Sequence, residues 1–212
     1  MMSQTAKHSS WAYSEDHDSQ DPLFAAARVR EAHLGSQQVS AGTASALSVL
    51  AAASQARALV EIGTGVGISG VALLRGAPQA AVLTSIDSEA DHTSAAAETF
   101  RAAGVAASKT RLITGGADQV LPRLTAGGYD LVFINSEAQQ VGAYADEGLR
   151  LLRAGGLLVV NDALDSDRVP KPAVREASTQ AMRALERSVL EDDRLVSALL
   201  PTGTGLLVAV RR

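Results

Sequence analysis

Cysteine is absent from the 212 residues, which removes disulfides, thiolate zinc sites and thiol nucleophiles at once and fits a reducing compartment such as the cytoplasm. Aromatic residues make up only 3%, so the core must be built from Ala, Leu, Val and Ile. No apolar run approaches the ~18 residues of a membrane span, and the opening MMSQTAKHSS lacks the apolar centre of a signal peptide. Basic residues do not dominate either. The formal net charge is −4 and the pI about 5.6, which excludes a nucleic-acid backbone as the main partner. What is present is ordinary for a globular chain: 46% hydrophobic and 20% charged, enough for one domain with a sizeable core.

Residues 1–20 are polar and read as a frayed tail, with docking of Trp11 on the body or on a partner subunit as the alternative. Pro22 at a first helical position, followed by LFAAARVREAHLG, predicts a helix that stops at Gly35. A second, Ala-rich helix is expected over 43–53. From there strands and helices alternate: ALVEI (58–62), helix 71–76, VLTSID (82–87), helix 89–104, RLIT (111–114), a short helix 117–124, DLVFIN (130–135), helix 142–156, LLVVND (157–162), and a long helix from Pro172 to Glu191. RLVSALL (194–200) and LLVAV (206–210), joined by a Gly-containing turn, predict an antiparallel hairpin. Such alternation implies right-handed crossovers and a doubly wound parallel sheet covered on both faces.

The most informative segment is EIGTGVGISG (61–70). Gly63, Gly65 and Gly67, with Thr64 between them, let the backbone turn sharply after a strand, and the following helix offers unpaired N–H groups to an anion. Ser69 stands in its first turn as a further donor. The same glycines match a dinucleotide fingerprint, but Glu61 before them suits a cationic ligand. Asp87, with Ser88 beside it, ends the second strand where a carboxylate can accept both ribose hydroxyls. Together they describe an adenosine-bearing ligand with a carboxylate and positive charge, namely S-adenosylmethionine.

These motifs resemble the class I S-adenosylmethionine-dependent O-methyltransferases of the catechol/caffeoyl-CoA O-methyltransferase-like group, bacterial branch. QQVSAG (37–42) is similar to that group's entry segment, which implies that the Val39 backbone lies at the methionine end of the cofactor. ITGGADQVLPRL (113–124) resembles its adenine-side motif and implies that Gly116, Ala117 and Asp118 lie near the base. YDLVFIN, LRLLRAGGLLVVND and LLPTGTGLLVAVRR match the later strands. The resemblance implies an α/β, Rossmann-like seven-stranded sheet of order 3-2-1-4-5-7-6 with the last strand antiparallel. It divides residues 21–212 into N-terminal helices (21–56) and a cofactor-binding core (57–212). It also implies S-adenosylhomocysteine as product, a small phenolic or catechol-like acceptor, and a homodimer through the N-terminal helices.

One departure matters. Metal-dependent members carry F-[IV]-D-A-D-K and a D-N pair, whereas this chain has FINSEA (133–138) and Asn161-Asp162. The metal Asp is Asn135, the Lys is Ala138, and one carboxylate stands among two amides, which argues against a divalent ion. Asp162 is then the base candidate, and Asn135 the amide whose oxygen could hold the cofactor's ammonium. Tyr144 reads as packing, the four histidines as surface residues, and Glu137 as pointing away from Asn135. Two other classes stay open on these residues: a cofactor-binding homologue without catalysis, and a nicotinamide-dependent oxidoreductase.

Overall fold

Alternating apolar residues on central strands send side chains to opposite faces, and here both faces are covered. The computed structural model describes residues 4–17, 21–36 and 39–212. Helices α1 (Gln4–Asp16), α2 (Pro22–Leu34) and α3 (Ala41–Ala53) precede β1 (Ala58–Ile62), α4 (Ile68–Gly76), β2 (Val82–Asp87), α5 (Ala90–Ala102), β3 (Thr110–Thr114), α6 (Ala117–Val120) and β4 (Tyr129–Ile134). Then come α7 (Val141–Leu151), β5 (Leu152–Asn161), α8 (Ala177–Glu191), β6 (Leu195–Leu200) and β7 (Leu206–Arg211). The seven strands lie in the order β3-β2-β1-β4-β5-β7-β6. β1 through β5 pair in parallel, and β7 is antiparallel to both β5 and β6. This is the sheet that the resemblance implied.

Leu59, Leu131 and Phe133 pack on one face with Leu47, Leu73 and Phe100. Val60, Val132 and Ile134 pack on the other with Tyr144, Leu151 and Met182. That alternation places α3, α4 and α5 on the first face and α7 and α8 on the second, so the central strands are buried on both sides. Among the described residues no helix is long and apolar enough to cross a membrane.

Three boundaries differ from the sequence reading. The polar stretch expected to fray contains α1, and its anchor is Glu15 rather than Trp11. Glu15 accepts hydrogen bonds from Gly42 N (3.1 Å), Thr202 Oγ1 (2.9 Å) and Gly203 N (2.6 Å). Burial pushes its pKa up, but those donors together with Ser40 outweigh burial and hold it below the usual carboxylate range. Trp11 remains 38% exposed and Tyr13 77%. Residues 1–3 and 18–20 of that stretch lie outside the described residues.

The helix expected over 142–156 instead stops at Leu151, where Arg211 Nη1 donates to the carbonyls of Leu149 (3.0 Å) and Leu152 (2.5 Å). Gly155 adopts φ 80° and takes up a register shift inside β5. The last long helix begins at Ala177 rather than Pro172. Arg183 donates to the carbonyls of Val169, Lys171 and Val174 and so holds the preceding residues in a loop.

α3 and α4 cross at Gly76, where an added Cβ would collide with the Ser48 carbonyl. Ser48 Oγ also donates to the Ala72 carbonyl at 2.7 Å. Alanine is the better helix former by about 1 kcal/mol, but overpacking costs about 1–3 kcal/mol and a backbone carbonyl yields least. Gly76→Ala is therefore expected to lower Tm by several degrees at this chain length; a Tm equal to or above the parent's in a thermal melt would show that the crossing is looser than described.

Candidate functional site

A cavity of about 490 Å³ opens beyond the carboxyl ends of β1, β2 and β4. It lies at the switch in strand order, where β1 has β2 on one side and β4 on the other. The turn after β1 forms one wall. Gly63 and Gly65 have φ of 86° and 49°, and a Cβ on Gly63 would run into the Asn135 carbonyl. Only glycine permits both the left-handed backbone and that approach.

Asp87 ends β2 and faces the cavity. Its Oδ2 accepts Gly65 N–H at 2.9 Å, and its Oδ1 accepts Glu89 N–H at 3.0 Å and lies 3.1 Å from His92 Nδ1. The carboxylate thus fixes the glycine turn while bordering the space that the turn encloses. Ser88, Gly116, Ala117, Asp118 and Asn135 border the same cavity. The structure brings these expected residues together from four separate loops.

Other expected residues lie behind the wall. Glu61 is fully buried; its two oxygens accept Ser69 Oγ and Ser85 Oγ, each at 2.5 Å. Thr64 Oγ1 lies 2.6 Å from Ser85 Oγ. Glu61, Thr64 and Ser69 therefore brace the turn from beneath and do not line the cavity. The sequence reading set Glu61 near a cationic ligand and Ser69 as a donor in the first helical turn; neither side chain borders the cavity. Gly67 caps α4 against Ala96, and Val39 packs into the apolar core. Gln37 and Gln38 of the entry segment lie outside the described residues. Asp162 does not border the cavity either: at φ 53° it starts a turn, and its Oδ1 accepts Ser166 N–H at 2.9 Å.

Three residues read otherwise from sequence, and one not singled out there, border the cavity. His92, taken as a surface residue, lines the cavity from the first turn of α5. Glu137 borders it together with Asn135, against the expectation that it points away, and so does Tyr144. Tyr144 Oη donates to Gln140 Oε1 at 2.7 Å; burial, then Asp118 and Glu137, push its pKa up. Ser36, not singled out from sequence, borders the cavity as well. A helix's first turn after a parallel strand points to the sheet's carboxyl edge, and that signal could have found His92.

Two observations bear on what the cavity can hold. The Oγ atoms of Ser36 and Ser136 are buried there without a hydrogen-bond partner among the described residues, a condition that a polar ligand relieves. Asp87, Glu89, Asp118 and Glu137 line it against the single imidazole of His92, so the walls favour a ligand carrying positive charge.

Residues 13–212 match the family model described as O-methyltransferase. A Mycobacterium tuberculosis protein named as a probable O-methyltransferase is 43% identical over 201 residues, covering 95% of this chain and 90% of the relative. Among solved structures, a Corynebacterium glutamicum protein aligns with TM-score 0.88 and 30% identity over 97% of each chain. The O-methyltransferase TomG of Streptomyces achromogenes, crystallised with S-adenosylmethionine, aligns with TM-score 0.85 and 27% identity over 100% of this chain and 99% of its own. The chain belongs to the O-methyltransferase family.

Burial pushes the Glu61 carboxyl up to about 7 despite the two serine donors, with the nearby Asp87 charge adding to the rise. The folded state then keeps a proton that the unfolded chain loses near pH 4.5. That contribution to stability is fully present below pH 4.5 and is lost as pH rises to about 7. Glu31, also pushed to about 7 by burial, shares the window, so the difference between parent and variant isolates Glu61. Glu61→Gln should gain Tm relative to the parent from pH 5 to pH 8, levelling off above pH 7; a difference that is flat with pH would contradict the raised pKa.

Proposed function

We propose that the cavity takes S-adenosylmethionine and that this O-methyltransferase-family chain methylates a hydroxyl oxygen of a small phenolic or catechol-like molecule, leaving S-adenosylhomocysteine. The observation that carries the reading is Asp87, a carboxylate pinned by Gly65 and His92 at the cavity edge. Its position suits a ribose diol. Gly116, Ala117 and Asp118 stand where an adenine would lie. Gly63, Gly65, Ser36 and Asn135 form the other end, for the amino-acid portion. The fit rests on features of the chain itself: two buried serine hydroxyls lack partners among the described residues, and the walls carry more acids than bases.

When bound, S-adenosylmethionine supplies a methyl group already activated on a sulfonium. The chain's part is alignment, exclusion of water and removal of one proton. The glycine turn is rigid because Asp87 holds it from the cavity side and Glu61 from below. In this proposal Asp162, just past β5, receives the acceptor's proton. Its turn, anchored by Asp165 through Arg168, Ser178 and Thr179, sets where that carboxylate stands.

The same reading takes the protein to be a cytoplasmic homodimer joined through its N-terminal helices, which leave Trp11, Tyr13, Val29 and Val49 exposed. Titration calorimetry tests the cofactor. Asp87→Asn preserves shape but removes the charge, and should weaken S-adenosylmethionine by about 1.5–3 kcal/mol, the worth of hydrogen bonds to a charged group. Asp87→Ala is the poorer probe, because it also frees Gly65. Unchanged affinity in Asp87→Asn, or binding of NAD in preference, would overturn the reading.

A further inference from the structure

Asn135 and Asn161 stand side by side, one step past the Ile134–Val160 pair of β4 and β5. They are 5% and 3% exposed. Asn161 Nδ2 donates to Asn135 Oδ1 at 2.8 Å, so the two side chains are closed on one another. With Asp162 they occupy the positions at which the metal-dependent members of the resembled group are expected to carry ligands.

The donor set does not fit such an ion. A hard divalent cation favours anionic oxygens, and selectivity falls with each neutral ligand. Here the Asn135 amide oxygen is already engaged by an N–H. Turning both amide oxygens toward a cation would break a buried hydrogen bond and face two amide dipoles with like ends together. The one carboxylate, on Asp162, is drawn into the turn through Ser166 N–H and is absent from the cavity wall. Among the described residues no group of three or more His, Asp or Glu side chains could hold a metal ion.

We propose that this protein works without a divalent ion, and that Asn135, held from behind by Asn161, presents a neutral amide to a single acceptor hydroxyl in the cavity. The inference rests on the function proposed above. A lone pair of the acceptor oxygen forms the new bond to the methyl carbon as the carbon–sulfur bond breaks and its electrons return to sulfur. The hydroxyl proton passes through one water molecule to the Asp162 carboxylate, which stands back from the cavity wall. Nothing in that sequence needs a second acceptor oxygen, so a vicinal diol holds no advantage over a monohydroxylated ring.

The test uses the full chain saturated with S-adenosylhomocysteine. Titration with Mn²⁺, followed by electron paramagnetic resonance, should show no saturable site up to low-millimolar metal. Asn135→Asp, or Asn161→Asp should the first fail to fold, should create one. Initial rates on paired phenols and catechols should agree within about twofold between excess EDTA and added Mg²⁺, with no systematic preference for the catechols. Saturable Mn²⁺ binding by the parent, or a rate that collapses in EDTA and returns with Mg²⁺, would overturn the proposal. A chain that binds neither S-adenosylmethionine nor S-adenosylhomocysteine in calorimetry would sink the proposed function instead, and the Mn²⁺ titration of the unliganded chain would still decide the metal question.

Discussion

A carboxyl group sealed into an apolar interior must find hydrogen bonds or lose its charge, and Glu61 does both. It sits at the end of β1 with Ser69 of α4 on one oxygen and Ser85 of β2 on the other. Thr64, inside the glycine turn, joins through Ser85. Four side chains from two strands, a turn and a helix thereby converge on one buried point. Removing any partner leaves a polar atom without water or substitute, which is why such networks specify one arrangement strongly. On the opposite side of the turn Asp87 accepts the Gly65 N–H. The turn is thus held between two acids, and its cavity-facing shape follows from that grip. Burial raises the Glu61 carboxyl to about 7, and the nearby Asp87 charge adds to the rise.

The strands, the hairpin and the glycine turn were legible because their signals are local: apolar runs, glycines at fixed spacing, an acid at a strand end; the strand order came from the family resemblance. The role of Glu61 was misread, although the means to read it were present. In a strand, residues two apart share a face, so Glu61 points with Leu59 into the α4 side rather than outward to a ligand. Its register partner in β2 is Ser85, and Ser69 lies within the first turn of the helix above. A motif states which residue types surround a site, while strand periodicity states which of them can reach it.

α1 was illegible for a different reason. Its sequence is polar, and Trp11 was the one residue within 4–16 that suggested docking. What holds it is Glu15, whose partners Gly42 and Thr202–Gly203 lie 27 and about 187 residues away. Only the folded chain brings the start of α3 and the β6–β7 turn together as a set of donors. The same holds for Asp165 and Arg183, which organise the loop after β5 through contacts that no local pattern announces. By contrast, the replacements at Asn135 and Ala138 stand out in the sequence, while their physical meaning needed the Asn161 contact.

That contact also bears on charge. The cavity already gathers Asp87, Glu89, Asp118 and Glu137 against one histidine. An aspartate at position 135, buried beside these acids, would add a charge out of water with no Lys or Arg among the described residues that line the cavity, and such groups cost several kcal/mol unless paired. A divalent ion could supply the balance. Without one, the way to keep the strand ends buried is to make position 135 neutral and satisfy it from a neighbour, which is what the Asn161 amide does. Neutrality at position 135 thus leaves the acids that line the cavity as its charged groups, and the same constraint on charge acts at the ends of β2 and of β4.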